Sequence, residues 1–382
     1  MSDSRSFAVA ADNVFDGTEV HAESGVIIED GQVVAVEPLR KLAASIPVRA
    51  LPKDAWLAPG FIDVQVNGGA DILFNDVPTA EGISAIAAAH RRFGTTALLP
   101  TLISDSADKM RAALSAAQNI APENPSILGI HFEGPFLSPE KPGAHNPLMF
   151  RTPDRRDLEL LTSWPDGVVL ITLAPERVPA EFISTLARSN VRISLGHSMA
   201  TYAETKAALT AGLTGFTHLF NAMRPLAARE PGPIAAALET PNSWFGMIVD
   251  GEHVDPAMLR LALRGSARPM LVTDAMPPVG GSASRFTLSG VEVQARNGRC
   301  VRKDGTLAGA ALDMATAVRN AVRLLGVPLA SALRFASREP AEFLGLGHKL
   351  GRLACGFRAD MVALDPSRIQ VLGTWVAGRA AP

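Results

Sequence analysis

The feature that most constrains the fold is a regular alternation of β-prone and helix-prone segments along the middle of the chain. Eight apolar runs are rich in β-forming residues and span residues 60–66, 96–101, 127–133, 168–173, 191–197, 215–219, 244–249 and 270–274. Segments with a helical spacing of apolar residues alternate with them, at 79–93, 106–119, 180–189, 201–211, 256–263 and 313–325. This alternation predicts parallel strands joined by right-handed helical crossovers.

Eight strand–helix repeats predict an α/β fold of the (β/α)8 type, a TIM barrel. Eight is the number at which such a sheet closes, and the usual length of about 250 residues fits the middle of this chain. The alternative is an open doubly wound sheet, but no G-x-G-x-x-G pattern follows the first run. The barrel is therefore the favoured fold.

Both chain ends consist of short β-prone pieces broken by turns. Neither end is long enough to bury a core alone, so residues 1–57 and 351–382 are predicted to pair in one small β-sandwich domain. The barrel then covers residues 58–350. Within it, the glycine-rich segment 279–307 contains two further β-prone pieces and predicts a β insertion after the eighth strand. Long loops at this end of a barrel usually shape an active site.

Composition and charge exclude several classes of function. The chain has 36 Lys and Arg residues against 38 Asp and Glu residues, a balance that argues against a nucleic-acid or membrane-surface partner. Its apolar runs stop well short of the roughly 20 residues that span a bilayer, and the start MSDSRSFAVAADNV lacks the pattern of a secretory signal. Its 2 cysteines are too few for a disulfide framework. We therefore expect a soluble, cytoplasmic protein.

Polar residues at the ends of four predicted strands form the candidate site. Glu133 ends the third run, His197 the fifth and Asp274 the eighth, and His218 lies in the sixth. Barrel enzymes carry their reactive groups at the carboxyl ends of the strands, so these side chains should converge. Two imidazoles and a carboxylate, with a position left for water, form a catalytic divalent-metal site. Any one of them could instead only hydrogen-bond a neighbouring loop, as we expect for the deeper His131.

Several longer motifs resemble the amidohydrolase superfamily and, within it, deacetylases of phosphorylated amino sugars. They include APGFIDVQVNGG at 58–69, HFEGPF at 131–136 and GHS at 196–198, and further stretches at 141–146, 217–223, 229–232, 250–254, 271–275 and 351–365. The resemblance runs from about Phe7 to Gly378. It implies metal-dependent hydrolysis of the N-acetyl group of N-acetylglucosamine 6-phosphate in amino-sugar catabolism, giving glucosamine 6-phosphate and acetate.

One departure from the superfamily pattern concerns the number of metal ions. Many amidohydrolases end strand one with His-x-His, which holds a second metal, whereas the corresponding positions here are Gln65 and Asn67. Residues 168–173 also lack the Lys that other members use to bridge two metals. The resemblance therefore implies one divalent ion per subunit, held by Glu133, His197 and His218. Zinc is the first choice, and iron or another divalent ion stays open.

The resemblance also assigns roles around the metal. Asp274 would act as general base and then as general acid, and His145 would hydrogen-bond the acetyl carbonyl and the sugar. The substrate-binding residues would be Ala144, His145, Asn221, Ala222, Arg229, His253 and a loop of Leu307, Ala308 and Gly309. Asn221 and Ala222 would offer backbone N–H groups to the phosphate. The family pattern further implies a homodimer, with Arg229 and His253 near the partner's site.

Two rival functions stay open at this point. The first is an amidohydrolase that acts on another N-acyl or cyclic amide substrate. The second is a non-catalytic barrel used for binding or assembly. The intact set of Glu133, His197, His218 and Asp274 argues against the second, and Arg229 and His253 favour a phosphorylated substrate.

Overall fold

The computed structural model describes residues 6–296 and 298–381 in two compact units. One unit contains the described residues up to Asp63, together with His90–Ala97 and the residues from Asp313 onwards; the other contains Val64–Ala89 and Leu98–Leu312. The first five residues, part of the stretch in which no secretory signal was predicted, lie outside the described residues. No helix in the described part of the chain has the length and apolar character needed to cross a membrane.

The middle of the chain forms an eight-stranded parallel sheet in which sequence neighbours pair. In chain order its strands are Phe61–Val66, Thr95–Ile103, Gly129–Glu133, Val168–Leu173, Arg192–Leu195, Gly215–Phe216, Trp244–Met247 and Arg268–Leu271. A parallel bridge between Val66 and Ala275 joins the first strand to the chain beyond the eighth. The Asp274 N–H also donates to the Gln65 carbonyl at 3.1 Å. The predicted (β/α)8 barrel is confirmed.

Buried strands and capped helices explain why these segments fold as they do. Every residue of Phe61–Val66 and of Val168–Leu173 is buried, as expected for strands covered on both faces. The helices are Ala80–Arg91, Ala107–Ile120, Arg155–Leu161, Ala180–Arg188, Tyr202–Ala211, Gly232–Glu239, Pro256–Ala262, Met314–Leu325, Leu329–Ala336 and Arg338–Phe343. Before Tyr202–Ala211, Thr201 and Glu204 form a capping box that satisfies two N–H groups.

The predicted insertion is a four-stranded antiparallel sheet with strands Arg285–Leu288, Val291–Arg296, Arg299–Arg302 and Leu307–Ala310. Ser289 and Gly290 form a two-residue turn with φ of +52° and +79°, the geometry that suits a hairpin of twisted strands. The sequence predicted a loop at Leu307, Ala308 and Gly309, and this is corrected: these residues belong to the fourth strand. The reason is that this segment pairs with Arg299–Arg302, a strand that the sequence did not reveal.

Both chain ends contribute to a second eight-stranded sheet. Its strands are Phe7–Phe15, Val20–Glu29, Gln32–Pro38, Val48–Ala50, Trp56–Pro59, Met361–Asp365, Gln370–Val376 and Arg379–Ala380. Val9, Ile28, Leu57, Met361 and Trp375 are among the residues of its core. The same unit also holds the three helices from Met314 to Phe343, which the sequence prediction assigned to the barrel domain.

Candidate functional site

Three buried side chains at the carboxyl ends of barrel strands form a cluster that could hold a metal ion. Glu133 is the last residue of the third strand, and His197 and His218 lie just beyond the fifth and sixth strands. One ligand atom from each side chain lies within 4.8 Å of the other two. The structure thus brings together the three residues that the sequence singled out as ligands, and these three residues form the Glu133 cluster.

The hydrogen bonds of His197 show that this cluster fits a cation. Its Nδ1 lies 2.8 Å from the carbonyl oxygen of Lys141, which can only accept, so Nδ1 carries the ring proton. The lone pair of the neutral ring is then on Nε2, which lies 3.1 Å from Oε1 of Glu133. The Nε2 of His218 lies 2.9 Å from the same oxygen. Because two acceptors at such a distance repel each other, this arrangement suits a cation, and a carbonyl that fixes the tautomer is typical of metal-binding histidines.

The backbone at these strand ends is strained. The φ angle is +49° at His197, +31° at His218 and +50° at Asp274, a region that residues with a Cβ atom rarely adopt. Each such residue costs on the order of 1–3 kcal/mol and persists only where the surrounding structure imposes it. Strained residues cluster at functional sites, so the backbone marks the same rim as the side chains do.

The two carboxylates of the site differ in their affinity for protons. Burial alone would raise the pKa of Glu133, but the neighbouring imidazoles of His145, His197 and His218 hold it well below its usual range. Burial, and then the nearby Glu133 charge, raise the pKa of Asp274 to about 6. One carboxylate is therefore a permanent anion suited to a cation, and the other can exchange a proton near neutral pH.

His145 is a neutral hydrogen-bond donor beside this cluster. Its Nδ1 accepts the Ser104 N–H at 3.3 Å and lies 2.9 Å from the Ser104 hydroxyl oxygen, so the ring proton is on Nε2. That Nε2 lies 3.8 Å from Oε1 of Glu133. Burial, and then the charge of His197, lower the pKa of His145 to about 4. At neutral pH the ring therefore offers an N–H to the site without adding a charge.

A single cavity contains these groups and most of the predicted substrate-binding residues. It encloses about 640 Å³ of empty space, including the part open to solvent, a size that suits a small ligand. Beyond the Glu133 cluster and Asp274, its lining includes the predicted residues Asn67, Ala144, His145, Asn221, Ala222, His253, Leu307 and Gly309. His253, predicted near the partner's site, lines this chain's own cavity.

Two predicted residues are placed differently from the expectation, and a third, Arg229, was expected near a partner's site rather than in this chain's own cavity. Arg229 is exposed and lies outside the cavity lining. Ala308 is buried in an apolar cluster with Leu288 and Val293, because the face of its strand that carries Ala308 packs in the core of the inserted sheet. The Asn221 N–H, expected to face an anion, donates to the His218 carbonyl at 3.0 Å, because the chain turns tightly after the sixth strand.

Sequence reasoning missed the apolar part of the cavity. Its lining includes Ile103, Ile248, Met276 and Leu288. Ile103 is the last residue of the second strand and Ile248 follows the seventh, so the rule that selected the polar residues could have selected these as well. Leu288 carried no such signal, because its position follows from how the insertion packs.

Comparison with known proteins decides the family of this site. The sequence profile of the amidohydrolase family matches residues 56–381. The chain belongs to the amidohydrolase family. Among its relatives is a protein of Shewanella sp. (strain ANA-3) named N-acetylgalactosamine-6-phosphate deacetylase, with 46% identity over 84% of this chain and 82% of the relative.

Solved structures of other amidohydrolases have the same fold over nearly the whole chain. N-acetylglucosamine-6-phosphate deacetylase from Pasteurella multocida superposes with a TM-score of 0.95 at 32% identity, covering 98% of this chain and 99% of the other. A variant of N-acetyl-D-glucosamine-6-phosphate deacetylase from Mycobacterium smegmatis, in complex with N-acetyl-D-glucosamine-6-phosphate, gives 0.90 at 34% identity, with coverage of 98% and 99%.

In this amidohydrolase, amide side chains occupy the positions that the family resemblance assigns to a second metal. The Nε2 of Gln65 donates to Oδ1 of Asp274 at 3.1 Å and to Oε2 of Glu133 at 3.3 Å. The Nδ2 of Asn67 donates to the same Oδ1 at 2.6 Å. Amide N–H groups present hydrogens to the carboxylates where a second cation would otherwise contact them. The donor set therefore fits one ion.

Proposed function

We propose that this chain is a metal-dependent deacetylase that hydrolyses the N-acetyl group of N-acetylglucosamine 6-phosphate in amino-sugar catabolism. The observation that carries the proposal is the convergence of the Glu133 cluster, the proton-exchanging Asp274 and the neutral donor His145 in one cavity. The names of the relatives supply the substrate class. The products would be glucosamine 6-phosphate and acetate, and a substrate that carries a charged phosphate agrees with a cytoplasmic enzyme.

Glu133, His197 and His218 would hold one divalent ion per subunit, with zinc as the first choice. When bound, such an ion lowers the pKa of a water molecule from 15.7 to about 7 and polarises the substrate carbonyl. The protein's own contribution is to keep the ligands fixed. Lys141 holds the tautomer of His197, and the barrel holds the strained backbone at His197 and His218.

Asp274 and His145 would carry out the proton and hydrogen-bond chemistry. Asp274 takes the proton of the attacking water, and then delivers it to the amine that leaves. Gln65 and Asn67 both donate to Oδ1 of Asp274, which leaves Oδ2 as the oxygen for this transfer. The Nε2–H of His145 would donate to the acetyl oxygen as negative charge develops, an interaction commonly worth about 3 kcal/mol.

The phosphate would bind at the end of the cavity formed by Asn221, Ala222 and His253, with Leu307 and Gly309 contacting the sugar. Arg229 is exposed on its own chain, which suits a residue that reaches the site of a partner subunit. We therefore include a homodimer in the proposal, with the guanidinium group of Arg229 binding the phosphate across the interface.

A second candidate substrate is N-acetylgalactosamine 6-phosphate. The observation that favours it is the relative of that activity at 46% identity. The two sugars differ only in the orientation of one hydroxyl group, so the same metal chemistry serves both. Their kcat/KM values on the purified protein decide which one is the better substrate.

Release of acetate from the two phosphorylated sugars, before and after chelation and metal add-back, tests the proposed function. We expect turnover that chelation abolishes and one equivalent of zinc restores. Turnover of a cyclic amide or of another N-acyl compound in preference to both sugars would favour the first rival. No bound metal together with no turnover of any amide would favour the non-catalytic barrel.

Replacement of Arg229 by alanine tests the phosphate assignment. We expect KM to rise by about 10-fold or more for the phosphorylated sugar, because a charge-assisted hydrogen bond is lost. The kcat/KM for unphosphorylated N-acetylglucosamine should stay unchanged. Equal effects on both sugars would contradict a phosphate contact at Arg229.

A further inference from the structure

His253 is the histidine of the cavity that stands apart from the Glu133 cluster. Four histidines line the cavity, and three of them, His145, His197 and His218, lie within 4 Å of the Glu133 carboxylate. The described residues that line the cavity include no Lys or Arg. Among these side chains, His253 is therefore the one best able to present a positive charge to an anionic group of a ligand.

A carboxylate outside the cavity lining holds this histidine from behind. Oδ2 of Asp250 lies 2.6 Å from Nδ1 of His253, and both side chains are almost fully buried. Oδ1 of Asp250 accepts the backbone N–H groups of Glu252 and His253, each at 2.9 Å. Asp250 thus fixes both the ring of His253 and the turn that carries it.

This contact determines which ring nitrogen is available to a ligand. A carboxylate only accepts, so Nδ1 must donate to Asp250. Nε2 makes no hydrogen bond to the described residues, and it is the nitrogen left for the cavity. With the Asp250 carboxylate on one side and an anionic ligand on the other, the ring of His253 would carry a proton on both nitrogens, and Nε2–H could then donate to the anion.

We infer that Asp250 is a positioning residue for substrate binding: it holds His253 as a cationic donor whose Nε2–H binds the phosphate group of the substrate. The inference rests on the proposed function, because that function supplies the anion. It assigns Asp250 a role in affinity for the phosphorylated sugar rather than in the chemical step. Asp250 itself does not line the cavity.

The isosteric change Asp250→Asn separates this role from support of the turn. The amide keeps an oxygen for the two backbone N–H groups, and its NH₂ group can donate to Nδ1, which leaves the ring neutral. We expect KM for the phosphorylated sugar to rise by about 10- to 100-fold, because a hydrogen bond to a charged donor is weakened. We expect kcat to stay within about 3-fold of wild type and kcat/KM for unphosphorylated N-acetylglucosamine to be unchanged.

Two further variants complete the kinetic test. Glu252→Gln alters the neighbouring exposed residue, which pairs with Arg299, and it should leave both sugars unaffected. Asp250→Glu restores a carboxylate and should recover at least part of the lost affinity. The inference is overturned if Asp250→Asn leaves KM for the phosphorylated sugar within twofold of wild type, or if it impairs both sugars equally.

A spectroscopic readout keeps this test independent of turnover. In ¹⁵N-labelled, metal-loaded protein saturated with inorganic phosphate at pH 7, both ring nitrogens of His253 should carry protons in the wild type. In Asp250→Asn, only one should. Identical ring spectra in the two proteins would overturn the inference. If the wild type deacetylates no sugar, the proposed function fails, but this phosphate titration still decides whether Asp250 controls His253.

Discussion

Asp274 is buried beside a permanent anion, and this environment raises its pKa to about 6. Asp274→Asn keeps the shape of the side chain but removes its basicity, so we expect kcat to fall by about 10²- to 10⁴-fold. Acetate release at saturating substrate measures this loss. A variant that keeps more than a tenth of wild-type kcat would contradict the role of Asp274 as the base.

The same substitution should stabilise the metal-free protein at pH 8. The folded-state pKa of Asp274 is raised above its unfolded value of 3.8, so its contribution to stability is lost as pH rises through about 6. Above that pH the buried charge destabilises the fold, and Asn carries no charge. We expect a higher Tm for the variant at pH 8, and a smaller difference at pH 5.

Asn67 donates to Asp274 at 2.6 Å, and this contact favours the charged carboxylate. Asn67→Ala removes the donor, so the pKa of Asp274 should rise further. We expect the acid limb of the kcat/KM profile to move to higher pH by about one unit. Asn75→Ala, which removes a buried amide bonded to Ile103 and Asp105 instead, is the control and should not move the limb.

Single residues differ in how far the sequence predicts them. The sequence could predict that four side chains converge, because the carboxyl ends of parallel barrel strands all lie at the same rim. These side chains are Glu133, His197, His218 and Asp274. Asp250 could not be predicted, because its role depends on a 2.6 Å contact within a turn and strand periodicity carries no information about turns.

At the level of elements, the inserted sheet fixes part of the cavity wall. The guanidinium group of Arg302 donates to the carbonyl oxygen of Ala144, which precedes His145. Arg302→Met keeps the apolar stem and loses the donor. We expect kcat/KM to fall by about 10-fold, since a hydrogen bond from a charged group is worth about 1.5–3 kcal/mol.

Arg285→Gln is the matched control for this change. Arg285 lies in the same sheet but is exposed and 3.9 Å from Glu292, so it should affect neither kcat/KM nor Tm. If both variants retain wild-type kcat/KM, the inserted sheet does not hold the His145 loop through Arg302.

Strands and helices were predicted where the regular spacing of apolar residues was unbroken. All eight barrel strands were found, whereas helix Gly232–Glu239 was missed because Pro231, Gly232 and Pro233 around its start resemble a turn. Proline is in fact well suited to the first turn of a helix, where no N–H bond is needed. The third and fourth inserted strands, Arg299–Arg302 and Leu307–Ala310, were missed because neither contains a run of β-branched or aromatic residues.

At the scale of the whole molecule, the proposed dimer can be tested by mixing two impaired variants. Asp274→Asn lacks the proposed base, and Arg229→Ala lacks the residue proposed to serve the partner. In a mixed dimer, the site with an intact Asp274 receives the partner subunit's intact Arg229, so random exchange should restore about a quarter of the wild-type sites. Acetate release at low substrate concentration measures this recovery.

The control for subunit mixing is a pair of changes within one site. Asp274→Asn and His145→Ala affect residues that line the same cavity, so every site of every mixed dimer lacks one of them. No recovery is expected from this pair. If the first pair also fails to recover although the subunits exchange, Arg229 does not act across an interface.

The closure of the barrel has a consequence for the order in which the protein becomes active during synthesis. The proposed ion ligands end at His218, but the proposed base Asp274 meets its amide partners Gln65 and Asn67 only when the chain bridges Val66 to Ala275. A nascent chain that has emerged only as far as His218 would therefore carry every proposed ligand and still lack Asp274. We therefore expect closure of the barrel, rather than capture of the proposed metal, to be the step that completes the active site.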